Sequence, residues 1–86
     1  MANHKSAAKR ARQSIVRNER ASAAKKTIRT FEKKIRTAIE AKDKESAGTL
    51  LVTYSSKSDK AAAKGYLHRK QSSRKVSRLS TAISTL

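Results

Sequence analysis

The chain has 86 residues, of which 22 are Lys or Arg and 6 are Asp or Glu, and its formal net charge is +16. Ile, Leu, Val and Phe make up about 16% of it, below the roughly 20% at which such a charge predicts disorder, so the free chain is expected to fold poorly or only in part. The absence of Cys excludes disulfides and thiolate metal sites, and no apolar run approaches the roughly 18 residues of a membrane span.

The first predicted helix runs from about residue 5 to about residue 41. Its apolar residues form a seam with alternating steps of three and four, a spacing typical of antiparallel helix packing. The seam consists of Ala21, Ala24, Ile28, Phe31, Ile35 and Ala38. Before the seam, residues 5–20 contain Ile15 and Val16 as their large apolar residues. This half of the helix therefore has little with which to pack on its own chain.

A second helix is predicted over about residues 44–64. Asp43 is its expected N-cap, and Gly65 stands just past its end, where glycine is favoured. Its apolar face consists of Ala47, Leu50, Leu51 and Tyr54. The segment YSSKSD at 54–59 has weak helix propensity, and we expect the helix to kink or fray there.

A third helix is predicted over about residues 68–85, with an apolar face formed by Val76, Leu79, Ile83 and Leu86. No Pro interrupts the chain, and no segment alternates with the period of two that marks a strand. The expected fold is all-α: residues 1–86 form a single three-helix bundle. At about 1.5 Å per residue, the second and third helices cover only about half of the first, which is extended and protrudes as a basic arm.

Positive charge is concentrated towards the two ends of the sequence. Residues 1–36 carry a net charge of +10, residues 37–59 carry −1 and residues 60–86 carry +7. A helix face exposed merely to solvent usually mixes signs, because like charges three or four residues apart repel. In this sequence, two stripes at that spacing consist of cations alone. The stripe in helix 1 is formed by Lys26, Arg29, Lys33 and Arg36. The stripe in helix 3 is formed by Lys70, Arg74 and Arg78, with Arg69 and Lys75 next to it. We expect a polyanionic partner.

The polyanion predicted from the residues is a folded, mostly double-stranded nucleic acid contacted through its phosphates and shape. With three aromatic residues, of which Phe31 is expected in the core, base stacking on aromatic platforms is disfavoured. Phe31→Ala is expected to cost about 3–5 kcal/mol if the ring is fully buried. A histone-like protein that compacts DNA without sequence preference is the main alternative. A membrane-active cationic peptide is a weaker one, because the basic half of helix 1 lacks a broad apolar face.

The sequence does not contain the combinations of residues that form enzyme active sites. The acids are scattered, the two His residues are 64 positions apart, and no glycine-rich phosphate loop or nucleophile elbow is present. His4 and His68 are interpreted as surface or capping histidines, because no further metal ligands accompany them. We expect no catalytic residues, no metal and no cofactor.

Several stretches resemble the bacterial-type small ribosomal subunit protein S-twenty family. They are MANHKSAAKRARQS…RNER, RTFEKKIRTAIEAKD and DKAAAKGYLHRK…SRKVSRL, and they keep their order and spacing nearly end to end. The resemblance implies a three-helix bundle with an extended first helix. It also implies a structural protein that binds small-subunit ribosomal RNA directly, supports subunit assembly and contacts the 5′ domain and the long 3′ minor-domain stem. Few protein partners, no membrane and no small-molecule substrate are expected.

Two sources give the candidate RNA contacts. Carried over by position from the family, they are Lys5, Lys9, Arg10, Arg12, Arg17, Arg29, Lys33, His68, Arg69, Arg74, Lys75 and Arg78. The charge pattern adds Arg20, Lys26, Arg36 and Lys70. The sequence departs from the family pattern at Lys70, where Asn is frequent, at Ser72 and Ser73, where Ala-Ala is frequent, and at Ala21, where Asn is often seen.

The expected location is the ribosome of the bacterial cytoplasm. An Arg-, Ser- and Ala-rich beginning poor in acids also resembles a transit peptide, so an organelle of bacterial origin is the alternative. Targeting alone would not explain the basic character, because it returns in residues 60–86.

Overall fold

The computed structural model describes the backbone of residues 2–86 and the side chains from His4 onward. Three helices follow one another: α1 (Ala2–Glu40), α2 (Lys44–Ala63) and α3 (Arg69–Ser84). The described part of the chain contains no strand, and the predicted all-α class is confirmed. Helix α1 begins three residues before its expected start, and the other ends lie within one residue of those expected.

Helix α1 is far longer than its partners. Its 39 residues span about 58 Å, whereas the 20 residues of α2 and the 16 of α3 span about 30 Å and 24 Å. The described chain measures 63 × 20 × 14 Å. Every side chain from His4 to Arg20 is exposed, so the prediction of a protruding basic half is confirmed.

The core lies between the C-terminal half of α1 and the other two helices. Helix α2 folds back along α1 and packs against both of its neighbours, whereas α1 and α3 touch at few points. The three predicted apolar faces all contribute to this core. Its buried apolar residues are Ile28, Ile35, Ala47, Tyr54, Ala61, Leu79 and Ile83.

The predicted faces are not uniformly buried. The ring of Phe31 is partly buried against the core, and the ammonium groups of Lys34 and Lys57 lie 5.4 Å and 5.5 Å from its centroid. Phe31 thus packs on the core as expected, but it does not reach the full burial on which the expected cost of Phe31→Ala depends. Leu86 is 38% exposed, because α3 ends at Ser84 and the last residue lies beyond the packed turn.

Local sequence signals determine the turns that connect α2 to α1 and to α3. Asp43 caps α2 as predicted, accepting a hydrogen bond from the Ser46 backbone N–H at 3.2 Å. Hydrogen bonding by the side chain and backbone of Ser46 lowers the pKa of the Asp43 carboxyl below its ordinary value. Gly65, with φ of 79°, ends α2: its N–H donates to Ala62 O and that of Tyr66 to Ala61 O, the two bonds of a Schellman motif.

Segment 54–59 does not kink or fray, because tertiary packing outweighs its weak helix propensity. Helix α2 is continuous from Lys44 to Ala63. Tyr54 and Ser58 are buried within it, and the Ser58 hydroxyl shares a hydrogen bond of 2.5 Å with the hydroxyl of Ser72 on α3. Ser72, one of the departures from the family pattern, thus joins two helices.

Removing one partner of this serine pair should cost more than removing both. We expect Ser58→Ala to lower the free energy of unfolding by about 1–3 kcal/mol, since the buried Ser72 hydroxyl loses its partner. The double variant Ser58→Ala, Ser72→Ala leaves no orphan hydroxyl and should recover part of the loss. Urea unfolding of the wild type, both single variants and the double variant measures the coupling. Strictly additive effects would contradict this account.

Candidate nucleic-acid interface

The protruding half of α1 presents cations without packing partners. Six of its residues are basic, and Glu19 is its single acid. All six cations are exposed, and they are Lys5, Lys9, Arg10, Arg12, Arg17 and Arg20. Because successive residues are about 100° apart on a helix, these side chains fall within about 160° of one another around the axis and form one broad basic face of the arm.

The packed half of α1 carries the second predicted set. Lys26, Arg29, Lys33 and Arg36 are all exposed. Arg36 donates to Glu32 at 2.8 Å, and the ammonium of Lys75 on α3 lies 3.5 Å from the other oxygen of the same carboxylate. Glu32 therefore supplies an internal counter-ion on the flank of α1 that faces α3.

Helix α3 presents a nearly continuous basic surface. Arg69, Lys70, Arg74 and Arg78 are exposed, and Lys75 is partly buried beside Glu32. No acid lies in α3, so nothing on this helix balances its charge. The exposed guanidinium and ammonium groups are free to contact phosphates of a partner.

His68 has a structural role before any binding role. It is the N-cap of α3, and its Nδ1 accepts a hydrogen bond from the Lys70 backbone N–H at 3.1 Å. The interpretation of His68 as a capping histidine is confirmed. With Nδ1 acting as acceptor, Nε2 carries the ring proton and can donate to a partner.

Two concave surfaces gather these cations. A cleft of about 240 Å³ lies between the three helices and brings Arg29 of α1 together with His68 and Lys75. Tyr54 also lines this cleft, and its buried hydroxyl has no hydrogen-bond partner within the described chain. Burial raises the pKa of the Tyr54 hydroxyl above its ordinary value, and the charge of Glu32 acts in the same direction.

The second concave surface is wider, about 790 Å³, and lies where the arm leaves the bundle. We call it the notch. Arg12, Arg17 and Arg20 line it from the arm, and Lys64 and Tyr66 line it from the turn after α2. Sequence reasoning missed Lys64 and Tyr66 as site residues, because no periodicity within one helix connects a turn with a distant helix face. The sequence signal that could have pointed to them is that both flank Gly65, which marks the turn after α2.

Metal ligation has no support in the described residues. No group of three or more His, Cys, Asp or Glu side chains is placed there to hold a metal ion. Within the same part of the chain, no helix has both the length and the apolar character needed to cross a bilayer.

Comparison with known families agrees with this basic, three-helix architecture. The sequence profile of the family described as Ribosomal protein S20 matches residues 2–84. The chain belongs to this family. The resemblance seen in the sequence is thereby confirmed.

Relatives match over nearly their whole length. The small ribosomal subunit protein bS20 of Desulfovibrio desulfuricans is 48% identical over 86 residues, 100% of this chain and 97% of the relative. The protein of the same name from Oleidesulfovibrio alaskensis is 49% identical over 83 residues, 96% and 95% of the two chains. That of Trichlorobacter lovleyi is 45% identical over 86 residues, 100% and 99%.

Membership of the ribosomal protein S20 family bears on the function classes left open by the sequence. The family is one of structural ribosomal proteins, so the expectation that the chain is not an enzyme is confirmed. The family assignment also disfavours the histone-like and membrane-active alternatives, which charge alone left open.

Proposed function

We propose that the chain is a structural constituent of the small ribosomal subunit in the bacterial cytoplasm, where it binds small-subunit ribosomal RNA directly and supports subunit assembly. The observation that carries this proposal is the arm: every side chain from His4 to Arg20 is exposed, and six of them are cations. A helix of this kind is built to lie against a polyanion. The names of its family relatives identify the particle.

Phosphate and shape contacts would carry the interaction. Arg and Lys neutralise phosphates and release the counter-ions condensed on the nucleic acid, which supplies affinity without reading base sequence. Aromatic platforms for stacking are scarce, since Tyr54 is buried and Phe31 is partly buried against the core. Specificity would then come from matching the fold of one RNA region to the arrangement of the arm and bundle.

The proposed contacts are the sixteen residues predicted from the sequence. Fourteen of them project into solvent without an ion pair in the described structure. Arg36 and Lys75 already pair with Glu32, so RNA phosphates would have to compete with that carboxylate for them. We expect these two to contribute less than the cations of the arm.

The RNA regions proposed are the 5′ domain and the long 3′ minor-domain stem, as the family resemblance implies. The arrangement of charge supports contact with more than one RNA segment, because the arm and α3 present separate basic surfaces. Few protein contacts are expected, since these surfaces occupy much of the molecule.

Binding should be strongly dependent on salt and selective for folded ribosomal RNA. With six to ten phosphate contacts, affinity should fall by roughly 10³–10⁵ between about 50 and 200 mM salt, by analogy with duplex DNA. Titrations would compare transcripts of the small-subunit RNA regions with duplex RNA of matched length at each salt concentration. Nearly flat salt dependence would contradict the phosphate-contact mechanism. Equal affinity for every duplex would support the histone-like alternative instead.

A further inference from the structure

A further basic surface lies between α1 and α2, and none of its residues is among the sixteen of the proposed interface. This α1–α2 groove, of about 190 Å³, is lined by Lys57 and Lys60 of α2, by Lys64 at the C-cap of α2, and by Thr27 of α1. Tyr66 closes its end at the turn after α2. Among the residues that the structure describes, no Asp or Glu lines it.

The three lysines share one face of α2. Their steps of three and four residues place them within about 60° of one another around the helix axis, whereas Asp59 lies on the opposite side. Like charges at this spacing repel and destabilise a helix. None of the three forms an ion pair within the described residues, where both ion pairs involve Glu32 on the other flank of α1. Their counter-ion therefore has to come from outside the chain.

Phe31 helps to position the cations of this flank. The ammonium groups of Lys34 and Lys57 lie 5.4 Å and 5.5 Å from its ring centroid. The attraction of each ammonium for the ring orients two long side chains, one from each helix, towards the same aromatic residue. Phe31 thus orients one cation of each helix before any partner binds.

The groove continues into the notch, because Lys64 and Tyr66 line both surfaces. From Arg12 to Lys34 the cations of this flank extend over 22 residues of α1, or about 33 Å. That length spans several phosphates of a nucleic-acid backbone. A single small anion would neutralise only part of such a track.

We propose that the α1–α2 groove is a further binding site for the RNA phosphate backbone, in which Lys57, Lys60 and Lys64 extend the contacts of the notch along α1. The proposal rests on the RNA-binding function proposed above. It assigns to α2 a direct role, although this helix contributed no residue to the interface predicted from the sequence.

Lysine reactivity in the complex tests the groove directly. Full-length protein would be acetylated with and without in vitro transcribed small-subunit ribosomal RNA, and each lysine quantified by mass spectrometry. We expect Lys57 and Lys60 to be protected several-fold by the RNA. Lys42 and Lys44, exposed at the turn between α1 and α2, should react equally in both samples.

Matched variants test the energetic contribution. Lys57→Gln, Lys60→Gln should weaken binding on the order of tenfold near 0.15 M salt and reduce the salt slope by up to about 0.9 for each phosphate that is no longer neutralised. Lys42→Gln, Lys44→Gln removes the same charge and should bind like the wild type. Circular dichroism would verify that both variants remain helical.

A third variant separates this inference from the proposed function. Arg74→Gln, Arg78→Gln alters the α3 surface and should weaken binding whether or not the groove contacts RNA. If it does so while the groove variant binds like its control and Lys57 and Lys60 stay reactive, the groove proposal is overturned and the function stands. If the wild type itself binds RNA without salt dependence and the α3 variant is neutral, the proposed function fails.

Discussion

Replacing Lys9, Arg10, Arg12 and Arg17 together by Ala will weaken RNA binding steeply without reducing the intrinsic helicity of α1. All four side chains are exposed on the arm, so their removal disturbs no packing. Ala is at least as good a helix former as Lys or Arg, and the mutual repulsion of the cations disappears. The salt slope of binding should shrink by up to about 0.9 for each phosphate that the arm no longer neutralises.

Binding titrations at several salt concentrations measure this effect. The matched control exchanges the same four residues for the other basic type, Lys9→Arg with Arg10→Lys, Arg12→Lys and Arg17→Lys, which keeps the charge. The control should keep most of the affinity, because a phosphate responds mainly to the positive charge. Wild-type affinity in the alanine variant would remove the arm from the interface.

Hydrogen exchange tests how the arm acquires its helix. Every side chain of residues 4–20 is exposed, and short helices with little packing are marginal in water. We therefore expect weak amide protection of this segment in the free protein and strong protection on RNA, where phosphates quench the repulsion among its cations. Part of the interaction free energy is then used to order the arm. Strong protection in the free protein would show that the arm is ordered before binding.

The largest loss of stability from a single truncation is expected at Ile35. Its side chain is 0% exposed, and Ile→Ala at such a site costs about 2–5 kcal/mol. Small domains have a total stability of about 5–15 kcal/mol, and this one has few large apolar groups to supply it. The free variant should be largely unfolded. Phe31→Ala should cost less than the loss of a fully buried ring would, because the ring is only partly buried against the core.

Ile15→Ala is the matched control for Ile35→Ala. It makes the same chemical change in the same helix, at a side chain that is 58% exposed. Urea or thermal unfolding of the free proteins should show a large loss for Ile35→Ala and almost none for Ile15→Ala. Equal effects of the two substitutions would mean that the assigned core face of α1 is wrong.

Local and periodic features of the fold are predictable from the sequence. The seam that contains Ile28 and Ile35 follows from the helical repeat. The cap at Asp43 follows from its carboxylate, and the end of α2 follows from the left-handed backbone that Gly65 can adopt. Each depends on residues within one or two turns. The protrusion of the arm was also predictable, because a segment with only two large apolar residues, Ile15 and Val16, has little surface to bury.

Features that depend on neighbours distant in the sequence were not predictable. The segment 54–59 stays helical because Ser58 meets Ser72 across two helices, a pairing that no propensity scale contains. Glu32 pairs with Arg36 four residues further along the same helix, a spacing that is visible in the sequence. Its contact with Lys75 requires α3 to lie beside α1, which the sequence does not show.

By itself, the sequence determined the helix count, most of the core positions and the excess of positive charge, which follow from composition and short-range periodicity. It also indicated the family, through the stretches that resemble it. Tertiary structure decided which cations share a surface: it joined Lys64 to Arg17 in the notch and brought Lys57 of α2 to the ring of Phe31 on α1. The physical reason is that charges act through space, and the distances between helices are set by packing of the core rather than by position along the chain.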